Sequence, residues 1–149
     1  MTPEDLGPDA MADVIAALAA DKKAIDIVAL DLRGVAGYTD FFLVCSGNTD
    51  RQAKAIHDGI HLGMKNEHGV LPRRVEGVGE SRWILMDYLD VVVHVFTPET
   101  RDFYRLEQLW GDVPQIEYGP DGERIAGAAG DAGAGDGEAV SGASATTSA

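Results

Sequence analysis

Cysteine is almost missing from this chain: Cys45 stands alone among 149 residues, so no intrachain disulfide can form and no zinc ribbon can be built from thiolates. Positive charge is also scarce. Twelve lysines and arginines meet 25 aspartates and glutamates, for a formal net charge of -13. That balance argues against sequence-specific or backbone-driven nucleic-acid binding, which needs cations to displace counterions, and it suits a basic protein partner. No apolar run approaches the length of a membrane span. The opening MTPEDLGPDA is acidic and carries prolines, unlike a secretory signal or a basic transit peptide. Nor is there a glycine-rich phosphate loop followed by lysine. Together these absences lead to the expectation of a cytoplasmic protein without a membrane partner.

What is present is globular composition, 45% hydrophobic and 25% charged, in a chain long enough for one ordinary domain. From Gly119 the sequence turns to glycine, alanine, serine and acidic residues and nearly loses its aromatics, which predicts a disordered tail over 119–149. Asp121, Glu123, Asp131, Asp136 and Glu138 against Arg124 give that tail -4, so -9 of the -13 stays with residues 1–118. The expected layout is a flexible N-terminus over 1–9, a domain over 10–118 and the tail.

Within the domain, Asp9 can cap a helix from about Ala10 to Lys22, with Met11, Val14, Ile15 and Leu18 at the spacing of a buried stripe. Ile25 to Leu32 and Phe41 to Ser46 read as strands. A helix follows from about Asp50 to Asn66, with Ala53, Ile56, Ile60 and Met64 facing inward. Val70 to Glu76 reads as an edge strand. Ile84 to Tyr88 and Val91 to Phe96 read as neighbouring antiparallel strands broken at Leu89-Asp90, and Thr97-Pro98-Glu99 opens a last helix. Leu106, Leu109 and Trp110 are expected to pin that helix to the sheet, with Gly111 as its left-handed cap. The order predicts an α/β domain on a mixed five-stranded sheet flanked by helices.

Two constellations could carry chemistry. His57 and His61, at i and i+4 around Asp58-Gly59, have the spacing of a helical zinc pair, but aspartate replaces the usual glutamate base and no third-ligand motif accompanies them. A solvated helix face is the better reading. Asp87 and Asp90 bracket a strand turn and could hold magnesium for nucleotidyl transfer, without any phosphate loop beside them. The alternative gives Asp90 turn hydrogen bonds and makes Asp87 a surface charge. His94, between Val93 and Val95, reads as a core or second-face histidine, and Cys45 as a small core residue. Trp83 is either core or an interface anchor. Alternation puts Trp83, Leu85 and Asp87 on one face, which suggests an exposed apolar strip rimmed by Glu76, Asp87 and Asp90 and facing a lysine- and arginine-bearing partner.

The blocks DIVALDL with Thr39-Asp40-Phe41, SGNTDRQ from Ser46, RWILMDY from Arg82, DVVVHVF from Asp90 and YRLEQLWGD from Tyr104 resemble, in this order, the ribosomal silencing factor (RsfS, Iojap-related) family. They span most of residues 10 to 118. The resemblance implies a nucleotidyltransferase-like fold without the catalytic pattern, no enzymatic activity and no cofactor or metal. It implies binding to the large ribosomal subunit through ribosomal protein number fourteen, on the face that meets the small subunit. Subunit joining would then be blocked and translation repressed when nutrients run short. Carried over by position, Trp83 is the tryptophan of the binding strand, and Asp87, Tyr88 and Asp90 belong to the turn after it. Leu89 stands where relatives carry glycine. Glu76 joins them on charge, and a homodimer is a further implication.

Overall fold

In the computed structural model, which describes residues 6–125, helix α1 (Pro8–Asp21) is followed by β1 (Ile25–Asp31), β2 (Phe41–Ser46) and α2 (Asp50–His68). Strands β3 (Arg74–Glu76), β4 (Trp83–Asp87) and β5 (Val91–Phe96) come next, then α3 (Pro98–Tyr104), α4 (Leu106–Leu109) and β6 (Gln115–Glu117). The α/β class and mixed sheet are as expected, but the sheet has six strands, ordered β3-β4-β5-β2-β1-β6. The additional strand pairs antiparallel with β1, Ile116 opposite Ala29. All neighbours are antiparallel except β2 and β5, which run parallel at the centre.

Strand alternation sorts the side chains into two cores. Phe41, Leu43, Cys45, Ile84, Met86, Val91, Val93 and Val95 point to one face and pack beneath α1 and α2. The expected inner residues of α2, Ala53, Ile56, Ile60 and Met64, are the ones buried there. Its Thr49 cap accepts the Gln52 N–H at 3.1 Å and Gly69 closes it in the left-handed conformation. In α1, Met11 and Ile15 are buried while Val14 and Leu18 are only partly so, and small Ala12, Ala16 and Ala19 complete the contact. Asp9 is not the cap. Pro8 takes the first helical position, Gly7 precedes it, and Asp9 pairs with Arg33 at 2.9 Å.

The opposite face carries Val28, Leu30, Phe42, Val44, Val92, Phe96 and, half-buried, Trp83 and Leu85. Its cover is slight. The last helix breaks at Arg105, whose φ of 50° is left-handed, so two short pieces replace the single expected helix. Leu106 is buried and Trp110 packs edge-on against Phe42, whereas Leu109 is exposed and pins nothing. Gly111 is left-handed, as expected. The edge strand is also shorter than the expected Val70 to Glu76, because Pro72 lies in the segment ahead of Arg74.

Residues 118–125 continue the fold. Tyr118 and Arg124 form an isolated bridge, and both side chains bond Asp13 on α1. The expected flexible stretch at residues 1–5 and the rest of the expected tail, 126–149, lie outside the described residues. Among the described residues, no helix is long and apolar enough to cross a membrane.

Candidate functional site

The thinly covered face is most open where β3 and β4 form its edge. Trp83 and Leu85 project there half-buried, flanked by Arg74 and Glu76 of β3, which are exposed and paired with each other at 3.3 Å. Trp83 is held on several sides. Its ring lies 5.0 Å from Phe96 and 4.7 Å from Tyr104 between centroids, and its indole N–H donates to His94 Nδ1 at 3.1 Å. Beside it, Gly77 has φ 87° and its α-carbon faces the Trp83 carbonyl so closely that any side chain would collide with it.

A cleft of about 620 Å³ continues from Trp83 towards α3, lined by Gly79, Glu80, Arg82, Phe103 and Tyr104. Phe103 and Tyr104 are 78% and 52% exposed, so the aromatic surface is wider than sequence reasoning found. Their signal was two consecutive aromatics in a short charged helix, where both cannot face the sheet.

At the far end of β4 the expected site residues separate into different roles. Asp87 is not a surface charge: it is buried, accepts the Leu89 N–H at 2.8 Å and pairs with Arg73 at 3.1 Å. Its carboxylate builds the turn. Tyr88 points the other way, into the helix-side core, with its hydroxyl buried and unpartnered. Burial pushes that phenol well above its ordinary range. Leu89 sits at the tip with φ 76°, left-handed and half exposed to solvent. The Asp90 carbonyl accepts the N–H groups of Asp40 and Phe41 at 3.0 Å each, tying the turn to the start of β2. Trp83, Leu85 and Glu76 therefore share a surface, Asp87 shapes the turn at the end of β4 with Leu89 at its tip, and Tyr88 belongs to the opposite core.

The metal readings find little support in the geometry. Asp87 is already engaged by a guanidinium and a backbone amide. His57 Nδ1 lies 2.9 Å from Asp58 Oδ1, and Asp58 also pairs with Lys54 at 3.0 Å; Lys54 and Asp58 are solvated as expected, whereas the His57 side chain is only 13% exposed. Among the described residues, no three carboxylates, histidines or cysteines lie close enough to hold a metal ion. Cys45 is fully buried and burial pushes its thiol up to about 12, a core residue as expected. His94 is likewise buried on the second face, and burial lowers its pKa to about 4.

Comparison with known proteins converges on one group. Residues 6–141 match the family model described as ribosomal silencing factor during starvation. A protein of Bacillus subtilis named ribosomal silencing factor RsfS is 46% identical over 108 residues, covering 71% of this chain and 91% of its own. One of the same name from Halalkalibacterium halodurans is 45% identical over 97 residues, covering 65% and 82%. A crystal structure of a Chromobacterium violaceum protein superposes with a TM-score of 0.68 at 32% identity, covering 70% of this chain and 87% of that one.

Proposed function

This chain belongs to the ribosomal silencing factor family, and on that premise we propose that it binds the large ribosomal subunit through ribosomal protein number fourteen, keeps the small subunit off that face and represses translation under nutrient limitation. The observation that carries the reading is the half-exposed Trp83–Leu85 strip on the thinly covered face, extended by Phe103 and Tyr104. An indole at the centre of such a strip suits a docking anchor, and Glu76 and Glu80 at its margins suit a basic partner. Exclusion requires occupancy alone. A factor that binds only the free large subunit draws the joining equilibrium away from whole ribosomes, with no reaction and no cofactor. Away from the ribosome the same strip supports a homodimer, which would compete with docking.

The test is sedimentation of purified large and small subunits with and without the protein. Co-migration with the large subunit and fewer joined ribosomes are expected. Trp83→Ala should weaken that co-migration about thirtyfold, the equivalent of about 2 kcal/mol for an interface anchor, while its circular dichroism and melting remain cooperative. Undiminished joining at saturating protein would rule out silencing by exclusion.

A further inference from the structure

We propose that His94 is a positioning residue for docking, fixing the Trp83 indole as an apolar plate by accepting its N–H; the inference rests on Trp83 being the docking anchor. An indole at an interface ordinarily offers the partner both a ring and a donor. Here the donor is already engaged within the domain, at 3.1 Å from His94 Nδ1. To accept at Nδ1, a neutral imidazole must carry its proton on Nε2. Burial keeps the ring neutral, since His94 is 3% exposed and packed among rings, with Phe42 at 4.5 Å and Phe96 stacked at 6.2 Å, and the indole donor at Nδ1 then selects the tautomer.

Nε2 itself is buried with no hydrogen-bonding partner. Leaving such a group unpaired in a core is costly, and an apolar residue at this position of β5 would avoid that cost. A histidine is understandable if its other nitrogen does something an apolar residue cannot. What it does is hold an otherwise half-open tryptophan in one orientation. Phe96 and Tyr104 pack against the indole, and the hydrogen bond selects which edge of the ring turns inward. The partner then meets a ring that has lost its rotational freedom before contact, which removes part of the ordering cost of binding. It also meets no free indole donor, so the recognised surface opposite Trp83 is apolar or cationic and offers no acceptor to this N–H.

The experiment compares His94→Leu, which deletes the acceptor, with His94→Asn, whose Oδ1 takes the place of Nδ1. Each is read by the Trp83 indole N–H resonance in the free protein and by co-sedimentation with the large subunit, with Trp83 assigned through Trp83→Phe. His94→Leu should shift the resonance, speed its hydrogen exchange and weaken co-sedimentation about tenfold. His94→Asn should restore most of all three. In a Trp83→Phe background, His94→Leu should add almost nothing, because the bond is already gone. Full additivity, or an asparagine no better than leucine, would overturn the proposal and make His94 a packing residue. If His94→Leu does not fold, the wild-type resonance decides: exchange as fast as a free indole overturns the lock. Failure of the docking reading looks different. Trp83→Ala would then bind undiminished, which overturns the docking role while the indole resonance still reports the bond.

Discussion

Single residues divide this site between stability and contact, and Leu89 shows the division most sharply. Its left-handed backbone, φ 76°, costs an L-residue about 1 kcal/mol that glycine would not incur, yet the side chain it presents is 49% exposed. Leu89→Gly should therefore raise unfolding stability by about 1 kcal/mol in urea titration. The same substitution should weaken co-sedimentation with the large subunit if the side chain touches the partner. His94 makes a second residue-scale prediction. Burial holds its pKa near 4, against an ordinary 6.5, so the unfolded chain binds the proton more readily than the folded one. Its contribution is complete above pH 6.5 and is lost as pH falls from there towards 4. Urea midpoints between pH 8 and 5 should fall on the acid side, and His94→Leu should flatten that slope. Strand alternation is local, so the face shared by Trp83, Leu85 and Asp87 and the second-face position of His94 were legible, although Trp83 was left open between core and anchor. Asp87 was misread because the partner that makes burial tolerable, Arg73, is fourteen residues away and comes alongside only when β3 pairs with β4.

At the scale of elements, a polar clasp joins buried Leu106 and the Trp110–Phe42 contact in holding the cover over the second face. Arg101 of α3 reaches Glu107 of α4 through Nη2 at 2.6 Å and Ser46 of β2 through Nη1 at 2.9 Å, so one guanidinium ties both short helices to the end of a central strand. Its side chain and that of Glu107 are 14% and 26% exposed, enough for solvent to moderate the pairing. Arg101→Leu should cost roughly 1–2 kcal/mol of stability and increase the quenching of Trp110 fluorescence by iodide, since Trp110 follows α4. The broken helix was illegible in the sequence because the apolar positions run on evenly and an arginine gives no sign of a left-handed backbone. Strand β6 escaped for a related reason. Gln115-Ile116-Glu117 has one buried apolar residue, too few to show a period, and pairing with β1 alone makes it a strand. By contrast β2, β5 and the inner face of α2 carry four or more apolar residues in register, and those were legible.

Across the whole molecule, the two faces of the sheet are covered differently. The long helices seal one, and the other buries Phe42 and Phe96 under short helices while leaving Trp83, Phe103 and Tyr104 near the surface. The segment after β6 contributes to the sealed side: Arg124 reaches Asp13 at 3.0 Å, and Gly122 lies so near Ala17 that a side chain there would press on the helix. A chain ending after Ile125 should melt like the full protein. One ending after Tyr118 should lose about 1 kcal/mol, as expected for an exposed ion pair and a small contact. Differential scanning calorimetry separates the two. The boundary at 118 followed the compositional change, which the chain crosses seven residues before the described residues end.

The strand order also sets a timetable. β2 and β5 are neighbours at the centre of the sheet although α2, β3 and β4 separate them along the chain, and β1 gains its outer partner only from residues 115–117. Pairings that distant form late and together. During synthesis β1 and β2 can pair with each other early, but β2 must wait for β5 and β1 for residues 115–117, so the whole sheet, and with it the face proposed for docking, is complete only once nearly all of the described domain has emerged.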